Sequence, residues 1–156
     1  MVNRLPTTVR RPAAPPLDVH VTGRRAVATI ADGLLLGGLY AAMAALLGTV
    51  TDHGGLYWTA SMPAAANVAY GVLVVAYYVL LEGSGGQTLG KMIAGIRVVD
   101  ARTGGRPAFR AVAIRTALRP VDGLAGYLVA FVTVLLTARR QRLGDLAAGT
   151  LVVADR

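Results

Sequence analysis

Two stretches of this chain, residues 26–50 and 64–81, hold one charged side chain between them, Asp32. At about 1.5 Å per residue, a helix over the first exceeds the ~30 Å hydrocarbon core of a bilayer, and one over the second nearly fills it. Backbone groups in lipid must bond within their own segment, so two such runs confine the chain to a helical membrane fold. The rest of the composition agrees. Charged residues are 15% of the 156, against roughly 25% in an average soluble domain, and mean hydropathy is +0.55.

The net charge of +8 avoids both apolar runs. Such placement fits a basic membrane face, with anionic lipid as its partner, better than it fits nucleic acid. Residues 1–23 carry four prolines and the arginines Arg4, Arg10 and Arg11. They read as a disordered basic tail, and the apolar run behind them is too long for a signal peptide. Residues 24–156 read as one membrane domain. Without cysteine, disulfides and thiolate metal sites are excluded.

Residues 51–63 form a polar turn with no Lys or Arg, next to Tyr57 and Trp58, which suit a membrane interface. Residues 82–122 hold Lys91 and six arginines, and five more arginines precede Ala26. The positive-inside rule therefore puts the N-terminus and residues 82–122 in the cytoplasm and the 51–63 turn outside, as in a multi-pass plasma-membrane protein. Residues 107–122 space Arg110, Arg115 and Arg119 among apolar residues, as an interfacial helix does. The apolar run 127–137 then stops at Arg139, Arg140 and Arg142. A third span would carry those arginines outside, so the expectation is two full spans plus a helical hairpin, with a plain third span as the alternative. The hairpin leaves the C-terminus cytoplasmic.

An internal echo argues the same way. Leu89-Gly90-Lys91 through Val98-Val99 recurs as Leu143-Gly144-Asp145 through Val152-Val153. Each copy predicts a short helix, a glycine stop and a β-branched strand. Paired, they would form a small cytoplasmic two-strand sheet in an otherwise mainly α fold. The copies differ most at Lys91 against Asp145, which should then share one polar cluster with Arg25.

Asp32 costs about 2.5–3.5 kcal/mol inside a span unless it finds a partner. Arg25 lies on the same helix face nearly two turns away, so Arg115, Arg119 or Lys91 are the better candidates. Asp32 reads as a proton or cation site, or as a structural ion pair, the latter favoured. Glu82, with Asn67 and Tyr78 on one face, reads as an interfacial cap or as part of a cation site. Gln87, Asp122 and Arg142 complete the candidate cluster. The small-residue stripe Gly33, Gly37, Ala41 and Ala45 should pack against the second helix near Ala69 and Gly71, or against another protomer.

Soluble enzyme chemistry finds no support. Gly85-x-x-x-x-Gly90-Lys91 is followed by Met92 where a phosphate loop needs Ser or Thr. His20 and His53 have no partner at metal-ligand spacing, and no Ser/His/Asp arrangement is present. No catalytic residue, metal or cofactor is expected.

Four elements resemble the RDD family of small bacterial membrane proteins. They are Arg25-x-x-Ala28-x-x-x-Asp32; Gly86-Gln87-Thr88-Leu89-Gly90-Lys91-Met92 with Gly95-Ile96-Arg97-Val98-Val99-Asp100; Arg115-x-x-x-Arg119-Pro120-Val121-Asp122; and residues 140–153. The resemblance implies that Arg25, Asp32 and Asp145 are the name-giving charges. Gly144 departs from it, since many members carry His there, so a His-assisted proton relay is not carried over. What the resemblance implies for function is transport, with sodium/proton exchange proposed for some members. The expectation is a small-cation or proton-coupled transporter, working as a homo-oligomer on a monovalent cation. A non-transporting membrane adaptor with a basic cytoplasmic face is the alternative.

Overall fold

The computed structural model describes residues 18–55 and 58–155. Tyr57 and most of the expected basic tail lie outside the described residues. Helix α1 (Thr22–Leu47) leads through a hairpin of β1 (Thr49–Asp52) and β2 (Trp58–Ser61) into α2 (Ala64–Gly85). A short α3 (Leu89–Ile93) and β3 (Ile96–Asp100) follow. Then come α4 (Phe109–Asp122), α5 (Leu124–Leu136), α6 (Leu143–Ala148) and β4 (Thr150–Ala154). The fold is mainly helical, and α1 and α2 are the two described helices long and apolar enough to cross a membrane.

Both long helices leave large apolar side chains uncovered. Leu34 is 73% exposed, Leu46 83% and Val68 67%. Lipid, not protein, is the natural surrounding for such surface. Where α1 and α2 meet, aromatics do the work: Tyr40 and Tyr70 pack edge to face at 5.1 Å, and the Tyr70 hydroxyl donates to the Leu36 carbonyl at 3.0 Å. The expected packing of Gly33, Gly37, Ala41 and Ala45 on the second helix is not found. All four are exposed, and a Cβ added at Gly33 or Gly37 would meet nothing within 4 Å.

Residues 51–63, expected as a plain turn, fold as part of the β1–β2 hairpin, in register from Thr49↔Ser61 to Asp52↔Trp58. The reason is local: Thr49, Val50 and Thr51 are β-branched, and the Asp52 carboxylate accepts from the Gly55 amide at 2.9 Å to close the turn.

The apolar core sits under the second sheet instead of between the long helices. β3 and β4 pair antiparallel from Ile96↔Ala154 to Asp100↔Thr150. One sheet face packs Ile96, Val98 and Val152 on Ala28 and Val21. The other gathers Val99, Leu151 and Val153 with Val19. Burying each such side chain contributes about 1.5–3 kcal/mol. Residues 18–23, read from the sequence as tail, are thus built in: Asp18 accepts from the Ala154 amide at 3.1 Å, and α1 starts at Thr22.

The echo is a structural repeat, and it reaches further than the matched letters. Gln87 donates to the Ile96 carbonyl at 3.0 Å, and Gln141 donates to the Thr150 carbonyl at 2.8 Å, each 54 residues from its counterpart. Gly95 and Gly149 end the short helices in matching left-handed turns, φ 62° and 61°. Before the repeat, α1 packs on α3 as α4 packs on α6. Gly123 divides α4 from α5, which are 14 and 13 residues long, so neither is an unbroken span. In α5, Ala130 and Val134 are buried.

Candidate functional site

The two repeats and the end of α2 bring six charged side chains from α1, α2, α3, α4 and α6 into one ion-pair network. Arg25 of α1 donates to Asp145 Oδ2 of α6 at 2.9 Å. Arg115 of α4 donates to Asp145 Oδ1 through Nη1, to Thr150 Oγ1 at 2.7 Å, and to Glu82 Oε2 through Nε at 3.3 Å. Glu82 also receives Lys91 Nζ and Arg119 Nη2 on Oε1. The Arg119 guanidinium lies 3.5 Å over the Tyr78 ring, a cation–π stack.

Glu82 is fully buried, at 0% exposed, and takes three cations. The reading of Glu82 as an interfacial helix cap is therefore replaced by a central role. Its place follows from α2, whose last turn ends at Gly86 with a left-handed φ of 73° and points residue 82 back under α4.

Asp32 is held differently from the ion pair expected for it. Its Oδ1 accepts from the Tyr77 hydroxyl at 2.7 Å and the Gly90 amide at 2.8 Å, and its Oδ2 accepts from Thr88 Oγ1 at 2.6 Å. None of these donors carries charge. The three hydrogen bonds satisfy both carboxylate oxygens without a cation. Thr88 also caps α3, its hydroxyl accepting from the Lys91 amide. Gly90 is required by this arrangement, since an added Cβ would stand 2.3 Å from the Ala28 carbonyl oxygen and 2.7 Å from Asp32 Oδ1.

The second repeat copies this device. Arg115 precedes Asp122 by seven residues, as Arg25 precedes Asp32. The backbone amides of Gly144 and Leu143, at the start of α6, stand by the Asp122 carboxylate and act to lower its pKa, a place like that of the Gly90 amide by Asp32. A Cβ at Gly144 would stand 3.3 Å from Asp122 Oδ2, so a histidine there would press on Asp122. Asp145 also accepts from the Arg142 amide at 3.1 Å, satisfying a free donor at the start of α6. Arg142 reaches back to Thr29 Oγ1 of α1 at 3.2 Å.

Outside the spans, the surroundings move several ionisations. Burial pulls the Lys91 ammonium from 10.5 to about 7; Glu82 opposes that pull and Arg119 and Arg115 add to it. Burial raises Asp122. Asp145 is held low by Arg115 and Arg25 against its own desolvation.

Arg25, Asp32, Lys91, Arg115, Arg119, Asp122, Arg142 and Asp145 all line one cavity of about 30 Å³. Gln87 stands apart from it, donating to Asp155 at 2.8 Å beside β3. Asn67 bonds the Met62 carbonyl at 3.0 Å, away from the network. Sequence reasoning missed Tyr77, Thr88, Thr29 and Thr150, the neutral members. The repeated seven-residue Arg–Asp spacing was the signal that could have paired Asp122 with Asp32.

No curated protein and no solved structure matches this chain. The RDD family profile matches residues 20–149, a stretch that holds the whole network and both apolar helices, and the chain therefore belongs to the RDD family.

Proposed function

We propose that the protein is a membrane transporter in which movement of a small ion is coupled to gain and loss of a proton at the charged network, with Lys91 as the proton-holding group. The observation that carries this reading is the placement of Lys91, buried against Glu82. It is the chain's one lysine, 8% exposed, and poised near neutral pH by burial. A group so placed changes charge under physiological conditions, and its charge is felt by Glu82, Arg115 and Arg119 together. Asp32 supports the site by tying α1 to α2 and α3, its oxygens being occupied by three neutral donors.

In this reading the N-terminus, the network and the C-terminus face the cytoplasm of a plasma membrane, by the positive-inside rule. The α4–α5 pair forms a hairpin on that face, and copies associate through the exposed flanks of α1 and α2. No enzymatic step is assigned. Reconstituted liposomes under an imposed pH gradient test the proposal. Wild type should move protons in a sodium- or potassium-dependent manner. Lys91→Arg, which keeps the charge but cannot release it, should not. Flux no greater than in empty liposomes would remove transport, and unaltered flux in Lys91→Arg would remove Lys91 from it. External labelling of a Cys at position 140 would overturn the hairpin.

A second reading rests on Arg102, Arg106, Arg110 and Arg139, which are all exposed. Near a membrane surface each contributes about 1 kcal/mol toward anionic lipid. An adaptor gripping that surface would bind anionic vesicles or an acidic partner without moving protons.

A further inference from the structure

We infer that the cavity between the two repeats binds one small monovalent anion of the halide class, held by the guanidinium groups of Arg25 and Arg119. Three nitrogens of these lining residues, Arg25 Nε, Arg25 Nη2 and Arg119 Nε, are buried and have no hydrogen-bond partner. An unmet buried donor costs roughly 1–3 kcal/mol, more when charged. Three such donors beside one cavity imply an occupant.

Size limits that occupant. The cavity measures about 30 Å³, room for one or two waters or one halide, and too little for a phosphate, a carboxylate or a lipid headgroup.

Charge selects between water and anion. Five cations, Arg25, Lys91, Arg115, Arg119 and Arg142, line the cavity with the carboxylates Asp32, Asp122 and Asp145, and a fourth carboxylate, Glu82, bonds Lys91, Arg115 and Arg119. With Lys91 protonated, one positive charge is uncompensated in a site where isolated charge is expensive. Asp122 Oδ1 is also unpartnered, and a water would serve it as well as the arginines. While Lys91 holds its proton, an anion offsets that surplus and a water does not. The Arg119 side chain is 26% exposed, which gives a small ion a way in.

The site stands independently of transport, and its test reads binding alone. The full-length protein in detergent is unfolded thermally in sodium chloride, sodium bromide or sodium gluconate at one ionic strength. Chloride and bromide should raise the unfolding midpoint saturably over gluconate, which exceeds the cavity. Arg119→Gln should lose that shift, and Arg25→Lys should weaken it. Arg102→Gln, at an exposed arginine outside the network, should keep it. Equal midpoints in all three salts would mean the cavity holds water only. A full shift retained by both Arg119→Gln and Arg25→Lys would place the anion elsewhere. Either outcome overturns the assignment, whatever the liposomes show of proton flux.

Discussion

Val98 and Val152 face each other in the antiparallel β3–β4 pair, and each is also the other's counterpart in the repeat, 54 residues away. A pseudo-two-fold axis therefore passes between them. It relates the two Gln-to-carbonyl bonds and the two Arg–Asp helices on either side. Arg25 reaches across to Asp145. By the same operation Arg115 approaches position 91, where it meets a lysine instead of an aspartate. Glu82 enters at that point and bridges the two like charges. The broken symmetry at residues 91 and 145 is what gives the network its titratable member.

Lys91 makes stability depend on pH in a defined direction. Its pKa is about 7 folded, against 10.5 as its ordinary value. Between those values the unfolded chain binds the proton that the folded chain lacks. Stability from this group therefore rises with pH from about 7 to about 10.5 and is lowest below that window. Lys91→Met should flatten that slope in unfolding measured across the window. A slope as steep as that of wild type would assign it to other groups.

Removing a shared anion should cost more than removing a surface charge. Glu82 compensates Lys91, Arg115 and Arg119 at once. Glu82→Gln strands those cations, and loss of one member of a buried pair typically costs about 3–5 kcal/mol. Asp100→Asn, on the exposed 100–105 turn, should fall well short of that, because its acceptor bonds to Arg102 and Thr103 are solvent-exposed. Equal losses in chemical unfolding would contradict the central role of Glu82.

The membrane class and the short helix–strand pairs were legible because they rest on local patterns, an apolar run and a β-branched Val-Val after glycine. Membership of the cluster was also legible in outline, since Arg25, Arg115 and Asp145 are charges with nowhere apolar to go. What holds Asp32 was not. A carboxylate in a span suggests a cation, and the actual donors are a tyrosine hydroxyl, a threonine hydroxyl and a backbone amide from three-dimensional neighbours 45 to 58 residues away. Neutral donors leave no charge pattern to read. The small-residue stripe does not meet the second helix for a related reason, because spacing alone does not say which helix comes close.

Gly90 and Gly144 occupy equivalent positions with unequal room, which makes a paired test. A Cβ at Gly90 collides with backbone, 2.3 Å from the Ala28 carbonyl oxygen, whereas the nearest atoms to one at Gly144 are 3.3 Å away. Overpacking costs typically about 1–3 kcal/mol. Gly90→Ala should lie at or beyond the upper end and Gly144→Ala near the lower end. Comparable losses in the two variants would show that α3 moves away from α1 freely.

Arg140 is the counterpart of Gly86 and holds the same left-handed backbone, φ 53° against 73°, but it has a side chain that pays for that conformation. Left-handed geometry costs an L-residue roughly 1–2 kcal/mol, and the extra freedom glycine has when unfolded returns about 0.4–1 kcal/mol of it. Arg140→Gly should therefore stabilise the protein by about 0.5–1 kcal/mol, with Arg140→Ala as the control that removes the charge and keeps the strain. A gain in the glycine variant alone assigns the effect to the backbone. If alanine matches glycine, the benefit comes from losing a positive charge beside Arg139 and Arg142, and the turn at residue 140 is not strained.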